Sequence, residues 1–254
     1  MGQTTRIEED HHWWFAGRTW SLLNMLDRAV GRQSSRQDST VLDIGCGAGN
    51  MFHHLARYGD VVGVDNNPKP LSVARERGYE VKEGTAENLP FEDEVFDLVA
   101  LLDTVEHCPD DMAVLRECYR VCAPGGHIVI TVPAFMWLWS HNDELNAHER
   151  RYTRPELKDK LARVGFRVER MTYNNFALFP MAAALILARR GARQEPELGS
   201  PHFDDESYQV EMEPAPPLLN ALLKGVTWTE SQILRWLNLP VGTSIIAIAQ
   251  KPET

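Results

Sequence analysis

The stretch that decides the fold is Val41-Leu-Asp-Ile-Gly-Cys-Gly-Ala-Gly49. A short apolar run, Thr40 to Ile44, carries a carboxylate at Asp43 and then breaks into Gly45, Gly47 and Gly49. Glycines let a chain turn tightly and bring backbone close to a ligand. A strand that ends in such a turn puts that ligand at the carboxyl edge of an open α/β sheet. The spacing is GxGxG rather than the GxGxxG that cradles a pyrophosphate on a helix N-terminus. A carboxylate at Asp43 would repel a pyrophosphate, whereas it suits a ligand bearing an ammonium or sulfonium group.

Working outward, strand-like and helix-like segments alternate. A helix is expected from about Gly49 to Tyr58, a strand at Asp60–Val64, a helix at Pro70–Arg77 and a strand at Tyr79–Glu83. Val95–Leu102 is almost wholly apolar, as a strand covered on both faces should be. Asp110–Val121 reads as an amphipathic helix, with Met112, Leu115, Tyr119 and Cys122 on one stripe. Pro124-Gly-Gly126 turns into a strand at His127–Val132; a helix opens at Thr153 or Arg154, with Pro155 in its first turn. Gly165–Thr172 and Ser244–Ala249 are the last strands. This rhythm predicts a mostly parallel sheet with helices on both faces.

Asp65 ends the second strand, where an acid suits the two hydroxyls of a ribose. Three further elements follow in order: Gly84-Thr-Ala-Glu-Asn-Leu-Pro-Phe91; Phe96–His107, ending Asp-Thr-Val-Glu-His; and Leu115–Gly126, ending Ala-Pro-Gly-Gly. Together with the glycine turn and Asp65, these elements closely resemble the class I S-adenosylmethionine-dependent methyltransferases. The resemblance is to the small-molecule branch typified by ubiquinone-biosynthesis O-methyltransferases, and it is strongest over Thr40 to Arg170. It implies a Rossmann-like seven-stranded sheet whose last strand is antiparallel, an N-terminal helical lid, and a helical insertion before that strand. The whole chain is then one domain, with the lid at 1–38, the cofactor-binding core at 39–174, the insertion at 175–240 and the last strand at 241–254.

The same resemblance implies roles for individual residues. Gly45, Cys46, Gly47 and Gly49 line the methionine part of S-adenosylmethionine, and Asp43 acts near its ammonium group. Asp65, followed by Asn66, takes the ribose, Ala86 offers its N–H to adenine, and Asp103 approaches the methionine end. Members of the family often carry Asp where this chain has Thr85; the Thr85 hydroxyl or Glu87 would have to take its place at adenine. A related HWWxxxR opening, here His12 to Arg18, reads in some members as a lid. Trp14 and Arg18 would then cover the cofactor, with Arg18 on its carboxylate. The bland reading of the same helix is packing on the sheet.

A hydroxyl acceptor has to lose a proton, and a histidine is the usual base. His148 is the first candidate and His107, in Glu106-His107-Cys-Pro, the second. Trp13, Trp137, His141, Arg151 and Tyr152 are candidate acceptor contacts, with Trp228 and Trp236 reaching in from the insertion. His141 is expected either to pair with Asp143 or to stand exposed to solvent. His141, Asp143, Glu144 and His148 are of metal-ligand type, but their spacing matches no zinc pattern, and no metal is expected. His11 and His12 read as surface residues.

Composition limits the partners. Lys and Arg number 26 against 36 Asp and Glu, a formal charge of −10, which disfavours nucleic acid. Residues 192–217 alone hold seven acidic residues, one Arg and five prolines, and read as a mobile excursion; the rest of the chain is only mildly acidic. Four unpaired cysteines without a CxxC suit a reducing compartment, here the cytoplasm. The first residues lack the pattern of a signal peptide, and Arg6 stands where a myristoylation signal needs Ser or Thr. The apolar run Phe176–Ala188 is too short to span a bilayer. Burial under the second insertion helix is the first reading of it, a homodimer interface the second and a membrane surface the third. The functional expectation is methyl transfer to a small molecule at oxygen: a sugar, phenol or secondary metabolite. N- or C-methylation, a nicotinamide-dependent oxidoreductase and a non-catalytic cofactor-binding module are the alternatives.

Overall fold

A computed structural model describes residues 8–31, 39–189, 202–203, 210–211 and 216–253. Seven strands form one sheet: β1 (Thr40–Ile44), β2 (Asp60–Asp65), β3 (Glu80–Glu83), β4 (Phe96–Leu102), β5 (Cys122–Pro133), β6 (Arg167–Asn174) and β7 (Ser244–Gln250). Their spatial order is β3-β2-β1-β4-β5-β7-β6. The first five strands are mutually parallel, and β7 runs antiparallel between β5 and β6. Most of the acidic stretch 192–217 lies outside the described residues; within it, His202–Phe203 pairs with Val210–Glu211.

The order of the strands follows from the apolar pattern. In β4, Leu98 and Ala100 face one side and Val99 and Leu101 the other, so both faces are buried. On the first face lies α1 (Trp13–Ala29), through Leu22, Leu23, Met25 and Leu26. On the second lie α4 (Asp111–Val121) and α6 (Arg154–Val164), through Val114, Leu115, Cys118, Leu157 and Leu161. Asp110 caps α4 by accepting from the Ala113 N–H at 2.9 Å, and Thr153 caps α6, whose end is set by Gly165 in the left-handed region.

Three expectations are corrected. The helix expected at Gly49–Tyr58 is a single turn, α2 (Phe52–Leu55), whereas the helix expected at Pro70–Arg77 forms as α3 (Pro68–Glu76). Gly49 is spent on the loop, its N–H donating to the Cys46 carbonyl, and Tyr58 turns inward to reach Asp27 at 2.8 Å. Pro124-Gly-Gly126 is not a turn before β5 but lies inside it as a bulge, three extra residues between the Phe96–Cys122 and Leu98–His127 pairs. The apolar run 176–188 is not buried: in α7 (Phe179–Arg189) Met181, Leu185 and Leu187 are exposed, and of residues 176–188 only Ala183 is buried. The second insertion helix, α8 (Pro217–Ile233), packs along α1 instead. No helix among the described residues is long and apolar enough to cross a membrane.

α1 is held in place by that contact with α8. Glu230 of α8 is buried and accepts the N–H groups of Phe176 and Ala177, both at 3.0 Å, which ties the two insertion helices together. Gly17 faces Thr227 so closely that an added Cβ would lie 2.4 Å from the Thr227 Cβ. Gly17→Ala should therefore destabilise the chain by about 1–3 kcal/mol of overpacking, of which helix propensity offsets less than about 1. Urea unfolding of the two proteins checks this; equal midpoints would show that α1 can move off α8 freely.

Candidate active site

The site is assembled at the carboxyl edge of β1, β2, β4 and β5. After Ile44 the chain turns, and the N–H groups of Gly45 and Cys46 both donate to the Val64 carbonyl, at 2.8 and 3.1 Å. The Gly47 N–H donates to Asp65 Oδ2 at 2.9 Å, and the Asn67 N–H to Asp65 Oδ1 at 2.8 Å. The glycine loop is thus pinned to the end of β2. Two of its glycines are required for different reasons. Gly45 has φ +73°, and a Cβ there would strike the Thr104 side chain at 2.4 Å. Gly47 has φ +51°, and a Cβ there would meet nothing within 4 Å. The open space over Gly47, floored by backbone and edged by the Asp65 carboxylate, is a cradle for a ligand.

Asp43 lies beneath this loop and is only 3 % exposed. Desolvation, reinforced by the nearby Asp65 charge, pushes its pKa up to about 7. Burial also raises the Cys46 thiol well above its ordinary value, so Cys46 is inert packing in the loop. Asn66 is exposed beside Asp65. Thr85, Ala86 and Glu87 form the loop after β3, which is anchored by the Gly84 N–H on the Asp65 carbonyl at 3.0 Å.

At the end of β4, Asp103 takes up φ +48°, left-handed for a residue with a Cβ. Its N–H donates to the Thr131 carbonyl at 3.0 Å, and the Thr131 hydroxyl donates to Asp103 Oδ1 at 3.1 Å. Arg18 from α1 forms an ion pair with Asp103 and also donates to Thr131 Oγ1. The residue expected to meet a ligand carboxylate is therefore engaged by the residue expected beside it. Trp13 and Trp14 are half-buried in the same helix and meet edge to face, with centroids 5.5 Å apart. His12 is not a free surface residue: its Nδ1 caps α1 by accepting the Trp14 N–H at 3.2 Å.

A second cluster follows from the loops after β4 and β5. Asp143 is fully buried in α5 (His141–Leu145) and binds Ser140, His148 and Arg151, the Ser140 N–H donating to its Oδ2 at 2.8 Å. Its carboxylate takes Arg151 through two bonds of 2.7 and 2.8 Å, and His148 Nδ1 lies 2.9 Å from Oδ1. Burial opposes its charge, but His148 and Arg151 win and bring its pKa to about 2. An ionised carboxylate only accepts, so Nδ1 of His148 carries the proton and Nε2 carries the lone pair. His107 packs edge-on against His148, with centroids 4.7 Å apart. Desolvation and the His148 charge keep His107 below its ordinary pKa.

Glu106, which the sequence reading left as a neighbour of His107, is the unexpected member. It is 1 % exposed and neither carboxylate oxygen has a hydrogen-bond partner. Burial pushes its pKa up to about 8, although Arg18 and Arg151 both pull it down. Glu106, His107 and His148 bring ligand-type atoms within 4.8 Å of one another. The signal for Glu106 in the sequence was only a charged residue in the turn Val105–His107 after β4, because burial of a residue there is set by the segments that fold over it.

Other expected contacts are corrected. Tyr152 is 1 % exposed in the core and donates to Asp111 Oδ2 at 3.0 Å, so it presents nothing to an acceptor. Arg151 is buried and spent on Asp143 and the Ala134 carbonyl; it positions Asp143 rather than a ligand. His141 is exposed and pairs with Glu144 at 3.1 Å, not with Asp143. Trp137 is exposed near Phe135 and Phe179. Phe135 was not foreseen: it holds φ +61° after β5 and stacks on Tyr173 at 5.0 Å. Trp236 is 70 % exposed and lies under Arg28 at the far end of α1, roughly 15 Å along that helix from Arg18, so it does not line the site.

Comparison with known proteins agrees with this arrangement. Residues 42–130 match the family described as "Methyltransferase domain". The ubiquinone biosynthesis O-methyltransferase of Pseudomonas putida is 34 % identical over 133 residues, 46 % of this chain and 56 % of that protein. The enzyme of the same name from Aliivibrio fischeri is 41 % identical over 96 residues, 35 % of this chain and 41 % of that protein. The chain thus spans about half the length of the curated relatives it matches. Among solved structures, a protein provisionally assigned as a sarcosine dimethylglycine methyltransferase, from Galdieria sulphuraria, superposes with a TM-score of 0.59 at 17 % identity, covering 93 % of this chain and 86 % of that one. That likeness bears on the fold alone, but the match over 42–130 spans the glycine loop, Asp65, the loop after β3 and the end of β4 in one piece. Over residues 42–130 the chain is thus similar to a methyltransferase domain, and its seven-stranded sheet has the fold of the superposed methyltransferase structure.

Proposed function

We propose that the chain transfers a methyl group from S-adenosylmethionine to a hydroxyl of a small organic molecule. The observation that carries this is the placement of an oriented base, His148 on Asp143, in one cluster with Glu106, which in turn feels the charge of Arg18 from the lid. The ligand chemistry of the cradle fits that cofactor: buried Asp43 for a cationic group, Asp65 for ribose hydroxyls, and bare backbone at Gly47 for close approach. Thr85, Ala86 and Glu87 edge the place where adenine would lie. The curated relatives are O-methyltransferases by name, which supports oxygen as the acceptor atom.

The bound cofactor supplies an electrophilic methyl on a sulfonium that is already a good leaving group, so alignment and water exclusion do most of the work. On this reading Trp13, Trp14 and Arg18 close over the cradle, and the Arg18–Asp103 pair opens to let Arg18 take a carboxylate. His148 accepts the acceptor's hydroxyl proton at Nε2, and Asp143 stabilises the imidazolium that results. Arg151 keeps Asp143 ionised and in place. His107 stays neutral against His148 and shapes the pocket. Glu106, with its raised pKa of about 8, holds a proton at neutral pH and offers a hydrogen-bond donor beside the base. Phe135 and Trp137 supply an aromatic wall that suits a phenolic acceptor. The chain's net charge is consistent with a small molecule and speaks against nucleic acid.

Two outcomes are expected. With labelled cofactor and a panel of catechols and phenols, His148→Ala should lose about 100-fold or more in turnover while cofactor affinity changes less than about threefold. Unchanged turnover would remove His148 from the mechanism. The second concerns Asp43. A folded-state pKa near 7 means that its contribution to stability is full below the unfolded value near 4 and is lost as pH rises through 7. A cationic ligand beside it lowers that pKa, so cofactor binding at pH 7 should release roughly half a proton. Calorimetry in buffers of different ionisation enthalpy measures this. Asp43→Asn should abolish the release and weaken binding; release that persists in that variant would place the cationic group elsewhere.

A further inference from the structure

Away from this site, the segment Glu8–His11 that precedes α1 folds back on α2. Asp10 sets one carboxylate oxygen 3.0 Å from His53 Nε2 and the other 2.9 Å from His54 Nε2. The two consecutive imidazoles lie side by side, with centroids 3.8 Å apart and planes tilted by 41°. All three side chains are partly buried, at 31, 14 and 16 % exposure. Lys224 of α8 holds the Asp10 and His11 carbonyls, so the backbone under this carboxylate is fixed.

We propose that Asp10, His53 and His54 are the protein ligands of a divalent transition-metal ion of the zinc class. Zinc bonds of about 2.0–2.1 Å to nitrogen and oxygen set tetrahedral ligand atoms roughly 3.3 Å apart. The two Asp10–histidine separations, each to a different carboxylate oxygen, are within a few tenths of an ångström of that edge, and one ligand-type atom from each of the three residues lies within 4.8 Å of the other two. Loss of the two Nε2 protons turns two donors and one acceptor into three converging lone pairs. An imidazole–imidazole–carboxylate set favours zinc, cobalt or nickel over magnesium or calcium. With three protein ligands the fourth position is left to water.

The placement gives the ion a role. α2 begins directly after the glycine loop, with the Phe52 N–H on the Gly49 carbonyl at 3.1 Å, and Asp10 immediately precedes the helix that carries Trp13, Trp14 and Arg18. A metal there clips the lid's root to the loop's exit, so its occupancy sets how far the lid can open. This use of the lid rests on the reading above; the metal site itself does not.

The test is a Co2+ titration of the purified, metal-free 254-residue chain, followed by visible absorption. One equivalent should bind with the intense d–d bands of a four-coordinate site, and Zn2+ should displace it. His53→Gln combined with His54→Gln should abolish those bands. Asp10→Asn, which leaves α2 intact, should weaken the affinity about tenfold, and Glu106→Gln should leave it within about twofold. Absence of a four-coordinate cobalt spectrum, or one that survives the double substitution, would overturn the proposal. So would a spectrum lost in Glu106→Gln and kept in the double variant, which would move the ion to the Glu106–His107–His148 cluster. None of these readouts depends on methyl transfer, so failure here leaves the proposed reaction standing.

Discussion

The docking of the glycine loop on the end of β2 is the constraint on which the rest depends. Two loop N–H groups share the Val64 carbonyl, and a third goes to Asp65. Those bonds satisfy donors that would otherwise be stranded over the sheet edge, and they fix the loop's path. The path, in turn, leaves Gly47 bare to the open side and seals Asp43 beneath. Parallel pairing of β1 with both β2 and β4 then brings Asp65 and Asp103 to the same edge as the loop. Because the register is set by apolar side chains buried on both faces, the positions of the acids follow from the core and not from contacts among themselves.

Electrostatics divides the site into two unlike halves. Asp43 is an acid with no cation beside it, and burial leaves it near the midpoint of its titration at neutral pH. Asp143 is equally buried but paired with Arg151 and His148, so it stays charged and holds the His148 ring in place. Glu106 is the third case, deeply buried and unpartnered, and it keeps its proton. A carboxyl group is thus half-ionised, held charged or kept protonated, according to which neighbours the fold delivers.

How much of this was legible in the sequence follows from the range of the interactions involved. β1, β2, β4 and β7 announce themselves as apolar runs, and Asp43 and Asp65 sit at fixed offsets from them, so the cradle could be placed from the sequence. Asp110 and Thr153 mark helix starts by local hydrogen bonding, which is also a short-range signal. The helix expected after Gly49 failed because the loop claims Gly49 itself. The pairing of Arg18 with Asp103, the capture of Arg151 by Asp143 and the burial of Glu106 join residues that only the finished fold brings together. The apolar run at 176–188 misled because composition reports that a face is apolar but not what covers it; here the long contact of α8 goes to α1, leaving much of α7 exposed. Asp10 and the histidine pair stand 43 and 44 residues apart, beyond any local pattern.

The central claim is that the cradle over Gly47, edged by Asp65, holds an adenosyl-type cofactor. Titration calorimetry with S-adenosylhomocysteine on the intact chain and on Asp65→Ala, with NAD as the comparison ligand, tests it most directly. One saturable site for S-adenosylhomocysteine, weakened at least about tenfold by the substitution and about 1.4 kcal/mol poorer in binding free energy, is the predicted result, with no saturable uptake of NAD. Saturable binding of NAD without any of S-adenosylhomocysteine would contradict the account.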